Sequence, residues 1–420
     1  MEDDPFHIII VGYGEIARLA HLPVLQSRSD SLVIGLVDTT FSEEELVSTN
    51  SVSGQTITPS PTILKFAAVN DAFEYFGSNI DAVSICTPQT ATLSVARDVL
   101  KIATSSNESK LLGILLEKPP GEDVDDLKQT IQYGRSHGIS MFTACHTTVC
   151  PARKVVDSWL FSDAAAGADC TNKSKAKNTI CRRRLDSIHI IWKENVRKWH
   201  PGQVWISKEC GGGVTDMLFN PISLIVSLFG LSFSSLPTTD LDENISGESI
   251  DQNRTIRLIK ADLVRPCNWE APISGCTELL MTVPLNDSTK GMLEMEVRIL
   301  ADFAFDYEPS SDYCNSEEIW NIEFVESVPK SDGSNHPSLT LKDGGAQAYI
   351  GSQKVTTEPT AEYPLRPEYE ALYDQFLDLL QSHRSKSVDE APSVVDCTTL
   401  AILKEIIRLG KYTVGPRFDF

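Results

Sequence analysis

Short apolar runs alternate with amphipathic stretches through the first third of the chain. Residues 7–11 (HIIIV) read as a strand, 15–25 as a helix interrupted by Pro23, and 32–37 as a second strand. The alternation continues with a helix at 71–76, a strand at 81–86 and an amphipathic helix at 90–104. A strand at 111–116, a helix at 124–137 and a strand at 139–143 complete the pattern. Strands that are apolar on both faces and separated by helices predict a parallel sheet covered on both sides. The fold class expected is α/β, with an N-terminal Rossmann-type doubly wound domain.

After residue 150 the rhythm changes. A helix at 155–161, a strand at 187–192 and a long apolar helix at 213–229 precede strands at 278–283, 292–303, 320–325, 338–341 and 346–350. Successive strands without intervening helices predict an α+β domain with a large, mostly antiparallel open sheet. Helices at 366–383 and 394–409 close the chain. The expected division is a dinucleotide-binding domain over 1–148 and a substrate domain over 149–420, the terminal helices packing back on the first. Three stretches read as surface insertions: 105–110, 163–184 and 234–253. The second is small and basic, the composition of a solvated or disordered loop.

Charge narrows the partners. The 420 residues carry a formal net charge of -21, which repels nucleic acid and anionic membranes. The most apolar run, 217–233, is broken by Asn220, Pro221 and three serines, so no membrane span is expected. The start, MEDDPFHIII, is acidic where a signal peptide would be basic, and the expected location is the cytoplasm. Ten cysteines without a CxxC pair read as reduced, buried thiols rather than metal ligands, and no metal site is expected.

The chemistry begins where the first strand meets the first helix. Gly12 permits a tight turn, Gly14 lets backbone approach a pyrophosphate, and Ala17 keeps the helix close to the sheet. The helix start at Glu15 and Ile16 offers N–H groups to the phosphates. Asp38 ends the second strand, placed to accept from ribose hydroxyls, and residues 39–45 hold no arginine for a 2′-phosphate. This favours NAD, with NADP open as the alternative. Lys118 follows the strand at 111–116, and strand carboxyl ends face the ligand crevice of such a sheet.

GYGEIA, DAVSICTPQ and LLEKPPG together resemble the Gfo/Idh/MocA oxidoreductase family across the whole first domain. The segment 191–203 (IWKENVRKWHPGQ), with GGGVTD leading into Asn220 and Ser223, resembles that family's galactose and arabinose 1-dehydrogenase branch. The resemblance implies a catalytic Lys118 and cofactor contacts from Thr87, Pro88 and Glu117. It implies further that Asp216 and Asn220 serve the reaction, Asn220 standing where most of the wider family has histidine. Asn220 takes no proton, so Asp216 is the candidate base. Glu194 and His200 are expected on sugar hydroxyls, and Trp199 either on a sugar face or in the core. His146, just past a strand end, is expected to face the crevice. Asn195, Cys145 and Thr148 depart from the branch, which usually has aspartate, tryptophan and arginine there.

The implied activity is NAD(P)-dependent oxidation of an aldose at C1 to an aldonolactone. Alternatives are a catalytically silent dinucleotide-binding regulator and a family oxidoreductase acting on a polyol or another small molecule. The expected partner is a small sugar, with a homo-oligomer implied by resemblance alone.

Overall fold

The computed structural model describes residues 4–46, 63–105, 109–161, 180–208, 212–233, 254–287, 291–305, 318–327, 338–355, 366–384 and 394–419. Most of the insertion at 163–184 and all of that at 234–253 lie outside them, as do Gly211 and residues 363–365. Contacts divide the chain into two units, one of 1–144 with 361–393, the other of 145–360 with 394–420.

The first unit is a six-stranded, wholly parallel sheet. Its strands are β1 (Phe6–Val11), β2 (Ser31–Val37), β3 (Leu64–Phe66), β4 (Ala82–Ile85), β5 (Gly113–Leu116) and β6 (Ser140–Thr143), in the order β3-β2-β1-β4-β5-β6. That is the dinucleotide-binding order, with its switch point between β1 and β4. Ile8, Ile9 and Ile10 are fully buried, as a strand covered on both faces requires. The helices are α1 (Leu22–Gln26), α2 (Val69–Phe76), α3 (Gln89–Ser105) and α4 (Val124–Ser136). A π-helical segment, Ala17–His21, runs directly into α1. Pro23 has no N–H for an i→i−4 bond, and the wider turn lies directly before it. His21, the last residue of that segment, has no exposed surface.

The second unit opens with α5 (Arg153–Leu160) and β7 (Leu185–Lys193), followed by the single turn α6 (Val196–Trp199) and the long helix α7 (Val214–Phe229). Next come β8 (Ser232–Phe233), β9 (Thr255–Pro266), β10 (Ser274–Asp287), β11 (Gly291–Ala304), β12 (Ile319–Glu326), β13 (Leu339–Lys342), β14 (Gln347–Ile350) and β15 (Gln353–Lys354). The two C-terminal helices part company: α8 (Arg366–Arg384) belongs to the first unit and α9 (Val394–Leu409) to the second. The chain then adds β16 (Lys411–Gly415) to the sheet.

Strand order in this mixed sheet is β15-β14-β13-β12-β7-β11-β10-β9-β16, with β8 on β9; every pairing is antiparallel except β7–β11, β9–β16 and β8–β9. Helix α7 is buried along nearly its whole length, and Leu218, Phe219, Ile222, Leu224 and Ile225 expose nothing. At about 1.5–3 kcal/mol per buried large apolar side chain, packing fixes this helix far more firmly than local propensity would.

Within residues 180–184, read from the sequence as the end of a solvated loop, Cys181 and Arg183 are instead packed, while Arg182 and Arg184 are exposed. Cys181 is buried and bridges Phe161 and Leu285. The Arg183 guanidinium lies over Trp159, donates to its carbonyl and pairs with Glu326. The arginine stems cover apolar surface while their heads find acceptors, which composition alone cannot reveal. Cysteine usage also differs in part from expectation, since Cys267 and Cys276 are exposed. Among the described residues no helix is long and apolar enough to cross a membrane.

Candidate active site

In the first unit, the loops at the carboxyl ends of β1 and β4 form a cradle. Gly12 has φ +88°, and a Cβ there would sit 2.8 Å from the Cys86 carbonyl, so only glycine fits the turn. Gly14 differs. No protein atom lies within 4 Å of where its Cβ would be. The fold leaves that side open, as close approach of a pyrophosphate requires. Ala17 is fully buried, and Thr87 and Pro88 lie one residue past the end of β4, across the switch point. Glu15 and Ile16 form the helix start, where N–H groups lack intrahelical partners.

Asp38 lies at the end of β2. Its Oδ2 accepts the Tyr13 N–H at 2.6 Å, and its Oδ1 accepts the Thr40 N–H and hydroxyl at 2.8 and 2.7 Å. Burial pushes its pKa up, but the donors from Thr40 and Tyr13 outweigh that and hold it below the usual value. A carboxylate so held is an acceptor for ribose hydroxyls and a repellent for a 2′-phosphate. The structure adds a cation that the local sequence does not show. Pairing of β3 with β2 brings Lys65 over the Phe41 ring, with Nζ 2.6 Å from Glu45.

Lys118 leaves β5 through a cis peptide to Pro119. Glu117 before it is 5 % exposed, and its oxygens face protein donors. Oε2 accepts the Lys118 backbone N–H at 2.9 Å, while Oε1 accepts from His21 Nε2 at 2.8 Å and the Tyr369 hydroxyl at 2.6 Å.

In the second unit, β7 delivers Glu194 to a buried position where Oε1 accepts the Trp192 indole N–H at 2.6 Å. Asn195 caps α6, its Oδ1 accepting the Arg197 N–H at 3.0 Å. Asparagine and aspartate cap almost equally well, so this departure from the branch keeps the turn. Trp199 donates to Glu318 at 2.6 Å and leans on Trp320, whose ring in turn stacks on Trp192.

His200 is oriented by its neighbours. Gln203 Oε1 accepts the Trp205 indole N–H at 3.0 Å and lies 3.1 Å from His200 Nδ1. An indole N–H only donates, so that Gln203 atom is the carbonyl oxygen, and His200 Nδ1 carries the proton between them. His200 Nε2 then faces Asp216 Oδ2 at 3.3 Å. Two bare lone pairs would repel at that distance, so the pair holds one proton between them. Asp216 sits in the first turn of α7, where the helix dipole favours its negative charge. One helical turn on, Asn220 is buried and its Oδ1 has no hydrogen-bond partner. An unpaired buried carbonyl costs about 1–3 kcal/mol, and a ligand hydroxyl would relieve it. His146 is buried in the turn that ties to α7 through the Thr147 hydroxyl, which donates to the Asn220 backbone carbonyl, not to its side chain, at 2.7 Å.

Residues 6–144 match the model of the Gfo/Idh/MocA oxidoreductase family, NAD-binding Rossmann fold. The chain therefore carries a Gfo/Idh/MocA-family NAD-binding domain. A galactose 1-dehydrogenase of Pseudomonas fluorescens is 24 % identical over 388 residues, covering 92 % of each chain. Among solved structures, the D-galactose-1-dehydrogenase protein from Rhizobium etli superposes with a TM-score of 0.62 at 21 % identity, covering 100 % of this chain and 99 % of that one. KijD10, a 3-ketoreductase from Actinomadura kijaniata solved with NADP, has the same TM-score at 12 % identity, covering 98 % of this chain and 100 % of its own. These likenesses establish a shared fold.

Around the family motifs, the structure adds residues that sequence reasoning did not reach. Gln203 and Trp205 hold His200; Gln203 ends the recognised segment and Trp205 lies two residues beyond it, so only the first had a signal there. His21, Ser84, Tyr369 and Tyr373 surround Glu117 without any motif of their own.

Proposed function

We propose that this Gfo/Idh/MocA-family protein is an NAD(P)-dependent aldose 1-dehydrogenase that forms an aldonolactone. The observation that carries the reading is the His200–Asp216 pair one helical turn from the orphaned Asn220 carbonyl. It is a proton acceptor beside an acceptor for a neighbouring hydroxyl. When bound, the nicotinamide supplies the hydride acceptor. Asp216, backed by His200, takes the proton of the anomeric hydroxyl, and the C1 hydrogen leaves with its electron pair. Lys118 donates a hydrogen bond to the oxygen as charge develops on it. Asn220 Oδ1 accepts from an adjacent hydroxyl, while Glu194, His146 and Trp199 shape the rest of the sugar pocket. Asp38 accepts from the adenosine ribose, which favours NAD. The cyclic hemiacetal becomes a lactone directly, without ring opening.

The test is reduction of NAD and NADP by the purified protein with a panel of pentoses, hexoses and polyols, the product identified by NMR. Lactone formation from an aldose is the expected result. Turnover of polyols alone, or of nothing on the panel, overturns the reading.

A further inference from the structure

Beneath the Lys118 turn lies a buried polar cluster that the proposed reaction does not use. His21 and Glu117 are at its centre, 0 % and 5 % exposed. His21 Nε2 meets Glu117 Oε1, while Nδ1 lies 2.7 Å from the Tyr373 hydroxyl and 3.2 Å from the Ser84 hydroxyl. The Ser84 and Tyr373 hydroxyls are themselves 3.2 Å apart, and Tyr369 donates to Glu117 from the same helix, α8. Both tyrosine rings stand edge-on to the imidazole. A histidine that meets a carboxylate through one nitrogen, and through the other hydroxyls that can accept as well as donate, has partners for two protons.

We propose that His21 and Glu117 form a buried imidazolium–carboxylate pair that acts as a positioning device for Lys118. Glu117 is its working end. One oxygen fixes the Lys118 backbone N–H, and the carboxylate charge favours the protonated ammonium of the same residue. His21, with Tyr369, holds that carboxylate still and anionic in a place where an unpaired charge would not survive.

Proton affinities agree with the geometry. Burial works against charge on His21, yet the Cys86 sulfur, the Tyr373 oxygen and the Glu117 carboxylate outweigh it and raise its pKa well above 6.5. Burial also works against charge on Glu117. His21 first, then the Tyr369 hydroxyl and the Lys118 charge, bring its pKa below the ordinary value.

The inference rests on the reading of Lys118 as a catalytic residue, and the experiment separates the two. Full-length protein labelled with 15N-histidine and 13C-lysine is titrated by NMR, His21 and Lys118 being assigned by loss of their signals in H21Q and K118R. In the wild type, His21 is expected to titrate well above the free-histidine value. A His21 that titrates at or below the free-histidine value overturns the proposal, whatever any variant does. Glu117→Gln keeps the shape and removes the charge. It should bring the His21 titration down toward the free-histidine value and make the Lys118 ammonium easier to deprotonate. Its kcat should fall about tenfold, with dinucleotide affinity and sugar KM within about twofold of wild type and the alkaline limb of the rate profile moved to lower pH. An unchanged Lys118 pKa and wild-type kinetics in Glu117→Gln overturn it. Separately, a fully active Lys118→Met removes Lys118 from the reaction and sinks the underlying reading. An inactive Lys118→Met beside a wild-type-like Glu117→Gln sinks only the positioning role.

Discussion

The two units each hold a histidine–carboxylate pair, and the pairs are built for different work. His21–Glu117 in the first unit is sealed, with every polar atom of both side chains matched to a protein partner and side-chain exposures of 0 % and 7 %. His200–Asp216 in the second is looser, at 3.3 Å, and the histidine side chain is 16 % exposed. In the reading proposed above, the same two functional groups give a fixed charge in one place and a proton acceptor in the other. Burial and the neighbouring group make the difference: His21 exposes nothing, whereas His200 is part exposed and its partner Asp216 lies one turn from the unpartnered Asn220 Oδ1. A pair whose donors and acceptors are all used has no capacity left for a ligand. A pair beside an orphaned carbonyl, at a helix N-terminus, has both the capacity and a favourable field.

The comparison breaks if the reactive pair turns out to be structural. Asp216→Asn should lower kcat by about 10²–10⁴-fold, the range expected for loss of a general base, with dinucleotide affinity unchanged. An active Asp216→Asn variant would return the second pair to the same class as the first. Conversely, Glu117→Ala leaves a buried imidazolium without its partner and should cost about 3–5 kcal/mol in urea-induced unfolding. A loss below about 1 kcal/mol would mean that the sealed pair is not charged.

Asp38 sharpens the comparison as a carboxylate with no histidine at all, held instead by Tyr13 and Thr40. Asp38→Ala should weaken NAD about tenfold, near 1.4 kcal/mol, and NADP less. Equal losses for the two dinucleotides would remove Asp38 from ribose recognition.

The smallest effect is a slope. A raised His21 pKa stabilises the fold fully below about 6.5 and loses that contribution as pH rises through the folded value. A lowered Glu117 pKa stabilises it above about 4.5 and loses that contribution as pH falls through the folded value. The contribution of the pair is therefore complete between about 4.5 and 6.5 and declines on both sides. Glu117→Gln should flatten the pH–stability curve in both outer windows, measured by thermal unfolding across pH.

The first unit was largely legible from its residues. Ile8 to Ile10 are apolar without alternation, Gly12 must take a left-handed turn, and Asp38 ends a strand, so each local rule points to one fold. The second unit was harder to read at β9, where buried Ile256, Ala261 and Leu263 alternate irregularly with exposed Arg257, Ile259 and Lys260. A sheet with one open face lets charged residues into strand centres, and the period-2 signal weakens. The edge strands β3 and β16 are too short for periodicity to register.

The candidate site divides along the same line. The positions of Gly12, Gly14, Asp38 and the Lys118 turn follow from sequence because they depend on backbone shape and on place at a strand end. So does the placement of Asp216 and Asn220 on one face of α7, since four residues make one helical turn. Only the tertiary structure could bring His200 to Asp216 with Gln203 fixing its tautomer, Lys65 to Glu45, or Tyr369 and Tyr373 to a histidine some 350 residues earlier. Local rules act over one turn or one strand. The charge state of a buried imidazole is set by whichever side chains the whole unit closes around it.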